Sequence, residues 1–158
     1  MGERAARIRV GVADMAVTDE PRPLVTSGLG SCVAVAIHDG RGVGGLLHAM
    51  LPEAPTPEDP PAKYVDSGIE QLTAELESLG ADRTGLTAKL TGGSSMLDLG
   101  SDEPVGDKNV TAARESLSEQ GIELVSEDTG GSSGRSVSFH PATGALSIER
   151  VDAEKTVL

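Results

Sequence analysis

Cysteine is almost missing from this chain of 158 residues: Cys32 is the only one. A single thiol excludes an internal disulfide and a multi-cysteine zinc site. Aromatic residues are as scarce, with Tyr64, Phe139 and no tryptophan, so the core must be built from Val, Leu, Ile and Ala. Lysine is rare too: 13 Lys and Arg together face 25 Asp and Glu, giving a formal charge of -12. A surface of that sign repels phosphate backbones, and nucleic acid is not an expected partner. Long apolar runs are lacking, and Met1 to Val12 has no signal-peptide apolar region. The expectation is a cytoplasmic protein without membrane insertion, in which a lone thiol stays reduced. The three histidines and the cysteine are scattered without paired-ligand spacing, so no metal and no cofactor is expected.

What is present reads as one α/β domain over residues 1–158, with its core at about 8–151. The spread-out acidity suits adaptation to high salt, where self-repulsion is screened. Pro52 to Pro61 carries five prolines and three acids, the pattern of a polar surface loop. Arg7 to Val12 alternates like a half-exposed strand. Ser31 to Ile37 is a β-branched apolar run, and Asp39-Gly40-Arg41-Gly42 supplies a turn to Val43–Met50, predicting a hairpin. Val65, Ile69, Leu72, Leu76 and Leu79 mark one helical face over Lys63–Leu79, with Gly80 as its stop. Leu86–Leu90 and Ile122–Val125 read as strands, Asn109–Gln120 as a second helix ended by Gly121, and Ser136–Phe139 with Ala145–Val151 as a hairpin. The sum is a single-domain layered sandwich, a mixed sheet of roughly six strands packed with two main helices.

The chemistry centres on Thr26-Ser27-Gly28-Leu29-Gly30-Ser31-Cys32 and on His48 in Gly44-Gly45-Leu46-Leu47-His48-Ala49. Free cysteine is usually a small buried hydrophobe. Here the glycines before Cys32 allow a sharp turn, which exposes a thiol at a strand start and leaves backbone N–H groups for an oxyanion. A thiol must lose its proton to attack, and a nearby imidazole takes that proton or pairs with the thiolate. His48 has the best context for this. His38 sits at a strand end beside Asp39 and His140 in a hairpin loop beside Pro141, and both read as solvated turn residues. A third group should orient the imidazole; Thr26, Ser27, Asp39 and Asp66 are the candidates. Thr91-Gly92-Gly93-Ser94-Ser95 lacks the lysine of a nucleotide loop, so it and Asp128–Arg135 read as backbone packing or rim loops.

Taken together, these segments resemble the CheD family of chemoreceptor glutamine deamidases. The resemblance runs from about Ile8 to Ile148. It rests on Thr26–Cys32, Gly44–Pro52, Lys63-Tyr64-Val65, Lys89–Ser94, Asn109 and Asp128–Arg135. It implies an α/β sandwich similar to bacterial toxin deamidases that use a Cys-His pair. It also implies conversion of glutamines to glutamates on the cytoplasmic region of chemotaxis receptors, and a CheC-type phosphatase as partner. The family's catalytic cysteine, histidine and threonine fall on Cys32, His48 and Thr26. Asp107-Lys108-Asn109 departs from the family's usual arginine before the asparagine, which touches only rim contacts. Competing expectations are a non-catalytic adaptor for such a phosphatase, a receptor methylesterase using the same thiol, and a structural domain with a buried thiol.

Overall fold

A computed structural model describes residues 6–95, 104–150 and 153–158. The strands are β1 (Ile8–Arg9), β2 (Asp14–Thr18), β3 (Leu24–Leu29), β4 (Val33–His38), β5 (Gly44–Ala49), β6 (Thr87–Gly92), β7 (Glu123–Thr129), β8 (Arg135–His140), β9 (Ala145–Arg150) and β10 (Thr156–Val157). Helix α1 spans Val65–Ser78 and α2 spans Val105–Glu119.

The strands form two sheets of five rather than one of about six, in the orders β1-β3-β8-β9-β10 and β2-β5-β4-β6-β7. Both are mixed: β1 runs parallel to β3 and β6 parallel to β7, while the other pairs are antiparallel. The molecule is a three-layer α/β sandwich. On one face of the β4-β5-β6 sheet, Val33, Val35, Leu47 and Leu90 pack against Ile69, Leu72 and Leu76 of α1 and Val110 and Leu117 of α2. On its other face, Ala34, Ala36 and Leu46 meet Leu24, Phe139, Leu146 and Ile148 of the first sheet. Buried on both sides, β4 is apolar from Val33 to Ile37.

The expected β4–β5 hairpin is present, its turn held by Asp39 Oδ1, which accepts from Arg41 N at 2.7 Å and Val43 N at 3.0 Å. Helix α1 closes in a Schellman motif at Gly80, with Ala81 N donating to Leu76 O at 3.1 Å. Leu79 lies past the last turn and is 37 % exposed, so it leaves the inward face that its spacing assigned it. Helix α2 starts a turn earlier than its apolar pattern indicates. The Arg7–Val12 strand shrinks to two residues, and Val12 is exposed. Strands β2, β3 and β10 escape the sequence pattern. Val151, the expected end of β9, lies outside the described residues.

Candidate active site

Residues alternate across a strand, so Cys32, Ala34 and Ala36 share the face that looks into the inter-sheet core. Ala34 pairs with His48 across the β4–β5 ladder. Cys32, two residues before Ala34, is therefore a diagonal neighbour of His48 on one face. The thiol is half-buried and the imidazole fully buried.

Thr26 comes to the site from the opposing sheet. It lies in β3, opposite Val137 of β8. The turn lies just beyond it: the β3–β8 register slips between Thr26 and Leu29, and Gly28 takes φ +74° there. Thr26 Oγ1 lies 2.7 Å from Val10 O and 2.7 Å from His48 Nδ1. A carbonyl oxygen only accepts, so the single hydroxyl proton goes to Val10. The hydroxyl must then accept from Nδ1–H. This two-bond chain fixes the imidazole tautomer: Nδ1 carries the proton and Nε2 holds the lone pair. His48 Nε2 is buried and has no hydrogen-bond partner among the described residues.

Burial lowers the His48 pKa below its ordinary value. Burial also pushes the Cys32 thiol up, partly offset by a backbone hydrogen bond to its sulfur. Each shift favours the uncharged form, so the resting pair at neutral pH is a thiol and a neutral imidazole. A standing thiolate–imidazolium pair is not the form these shifts favour.

The strand ends that carry the pair are tied down through their carbonyls. Ser94 donates to Gly30 O from its N–H at 2.9 Å and its hydroxyl at 2.7 Å. Gly93 N donates to Cys32 O at 2.9 Å. Asn109 of α2, fully buried, donates both protons of Nδ2, to Ser31 O and to Met50 O, each at 2.9 Å. One amide thus clamps the residue before Cys32 to the residue two beyond His48. In the sequence, Asn109 stands out only through the family resemblance; its contacts span 78 and 59 residues, beyond any local pattern.

The two glycine runs are packing loops. A Cβ on Gly92 would lie 2.3 Å from Cys32 O, and φ there is +104°. A Cβ on Gly93 would meet Val110 of α2 at 2.4 Å. Gly130 N donates to Gly92 O, joining the second run to the first. Arg135 is buried behind it, 3.7 Å from Asp128 and bonded to Gly130 O at 2.9 Å.

The remaining candidates lie elsewhere. Asp39 serves the hairpin turn, and Asp66 Oδ1 accepts from Ala54 N at 3.0 Å at the start of α1. Ser27 is exposed on the opposite face from Thr26. His140 is exposed, as expected. His38 is not a solvated turn residue: it is half-buried, with its ring 5.8 Å from Phe139 in an edge-on contact. No group of three His, Cys, Asp or Glu suited to a metal occurs among the described residues.

The fold is a three-layer α/β domain in which a cysteine shares an inter-sheet face with a histidine bonded to a threonine hydroxyl. The family model described as CheD chemotactic sensory transduction matches residues 50–150. The chain is 45 % identical over 99 % of its length, and 95 % of the relative's, to a protein of Natronomonas pharaonis named probable chemoreceptor glutamine deamidase CheD. It is 40 % identical over 91 % of its length to the chemoreceptor glutamine deamidase CheD of Halalkalibacterium halodurans, covering 93 % of that protein. The chain belongs to the CheD family. Among solved structures, the hypothetical protein YfiH of Bacillus licheniformis is similar at a TM-score of 0.45 and 16 % identity, over 75 % of this chain and 50 % of that one.

Proposed function

We propose that this protein is a protein-glutamine deamidase acting on the cytoplasmic region of chemotaxis receptors, with Cys32 as nucleophile, His48 as acid–base and Thr26 as the residue that orients His48. The observation that carries this reading is the Val10–Thr26–His48 chain, which leaves Nε2 unprotonated on the face it shares with Cys32. The substrate class comes from the names of the relatives.

His48 Nε2 takes the Cys32 proton as the sulfur attacks the carboxamide carbon of a receptor glutamine. The oxyanion is held by the backbone N–H groups of Ser31 and Cys32, since Gly30 N already donates to Gly28 O at 3.1 Å, and the flanking carbonyls are fixed by the ties from Ser94, Asn109 and Gly93. The imidazolium gives its proton to the departing nitrogen, the C–N bond breaks, and ammonia leaves a thioester on Cys32. Water then attacks the thioester while His48 takes a proton from it. The C–S bond breaks, the proton returns to sulfur, and glutamate is released. Nothing in the cycle needs a cofactor. The working place is the cytoplasm, on the whole chain as a single domain, with a CheC-type phosphatase as regulatory partner. A net charge of -12 makes high salt the favourable medium for approach to an acidic receptor.

The test is mass spectrometry of a receptor cytoplasmic fragment incubated at high salt with the wild type and with Cys32→Ala. A glutamine-to-glutamate mass change with the wild type only is expected. No change with either, on a folded receptor fragment, contradicts the assignment.

A further inference from the structure

The outer face of the β1-β3-β8-β9-β10 sheet has no layer over it among the described residues, and it is concave. A hollow of about 620 Å³ lies on it, floored by small side chains such as Val25, Ser138 and Ser147. Its charge is opposite to that of the molecule. Arg7, Arg9 and Lys155 border it, and Glu149 is its one acidic residue among the described residues, in a chain whose formal charge is -12. All three cations are exposed. Strand β3 is shared between the candidate site and this hollow. Ser27 lines it, and the preceding residue, Thr26, turns its side chain through the sheet to His48.

We infer that this basic hollow is a docking groove for an acidic segment of the protein substrate, on the outer side of the sheet that carries Thr26 and apart from the pocket between the sheets that takes the glutamine. This rests on the deamidase reading and deepens it. Each turnover turns a neutral carboxamide into a carboxylate, so a substrate with several target glutamines gains negative charge as it is processed. An otherwise acidic protein needs a local region of opposite sign to hold such a chain in register. Charge placed at the rim of a docking surface acts mainly on encounter and orientation. Molar salt shortens the Debye length to about 3 Å, which removes the long-range repulsion but leaves direct contacts inside the groove partly effective. The small floor residues let a backbone or helix seat close to the strands.

The experiment measures binding of a chemoreceptor cytoplasmic fragment to the whole protein at fixed ionic strength, by fluorescence anisotropy. Its variants are Arg7→Glu/Arg9→Glu/Lys155→Glu and, separately, Ser138→Trp, which fills the floor without changing charge. Thermal melting checks that both are folded. Each variant should weaken binding about tenfold or more. Wild-type affinity in either folded variant overturns the groove, as does a fragment that fails to bind the wild type. Displacement of the fragment by a single-stranded oligonucleotide at equal concentration reassigns the groove to nucleic acid and overturns it too. The mass of the fragment is read from the same mixtures. Fragment bound through the groove yet never deamidated would refute the deamidase reading and leave the groove standing. Fragment deamidated with binding indifferent to both variants would do the reverse.

Discussion

The β4–β5 ladder carries a histidine at each end, and the two ends differ in what surrounds the ring. Both His48 and His38 have pKa values lowered first by burial, so both rest neutral at pH 7. At the first end, Thr26 accepts from His48 Nδ1 and so fixes the tautomer, and a thiol shares the face. At the other, His38 packs edge-on against Phe139 and is further held neutral by the nearby Lys89 charge, while its buried Nδ1 has no partner among the described residues. Burial alone therefore makes a core imidazole. A hydroxyl whose own proton is already committed, together with a thiol on the same face, is what sets His48 apart as the proposed base.

Removing the nucleophile breaks the comparison most severely. Cys32→Ala should reduce glutamine conversion to the uncatalysed level, measured by mass spectrometry of the receptor fragment. The protein should keep its melting temperature, since a half-buried thiol contributes little packing.

Each end is also guarded by a glycine. A Cβ on Gly92 would strike the Cys32 carbonyl at 2.3 Å, and one on Gly144 would strike the His38 ring at 2.4 Å. Both Gly92→Ala and Gly144→Ala should lower stability by about 1–3 kcal/mol through left-handed backbone strain alone. Only Gly92→Ala should also lower kcat per folded molecule, because only there does the displaced atom belong to the nucleophile's residue. Equal kcat losses in the two variants would erase the distinction.

Thr26→Val keeps the shape and removes the hydroxyl. It leaves Val10 O and His48 Nδ1–H without their partner, which should cost about 1–3 kcal/mol of stability. It also frees the imidazole to take the wrong tautomer, and kcat should fall roughly 10²-fold. A kcat within error of wild type would remove Thr26 from the orienting role.

The pH dependence gives the smallest effect. The base must be unprotonated, so kcat/KM rises with pH through the His48 pKa. Burial depresses that value, which places the midpoint of the acid limb below the ordinary histidine value of about 6.5. A midpoint above that value would mean a charged partner stabilises the imidazolium, as in a standing ion pair with the thiolate.

Local periodicity and turn chemistry make much of the fold legible in the amino-acid sequence: the hairpin of β4 and β5, the two helices with their glycine stops, and the β8–β9 hairpin. Strand β3 is hidden because the bulge at Gly28 interrupts alternation, so that Thr26-Ser27-Gly28 reads as a turn. The division into two sheets is hidden for another reason. Strand β3 finds β8 more than a hundred residues later, and no local pattern encodes that pairing. The residue types of the site are visible in the sequence, but their relation is not. That Thr26 donates to Val10, and therefore fixes the proton on His48, depends on a contact between sheets. The Asn109 clamp depends likewise on α2 docking against both strand ends.

The measurement that tests the account most directly sets His48→Gln beside His38→Gln, with receptor glutamine conversion followed under the same conditions. His48→Gln should lose about 10²- to 10⁴-fold, the range of a missing general base. His38→Gln, checked by melting to be folded, should stay within about twofold of wild type. Comparable losses in the two variants, or a near-normal rate in His48→Gln, would contradict the assignment of chemistry to the Cys32 end of the ladder.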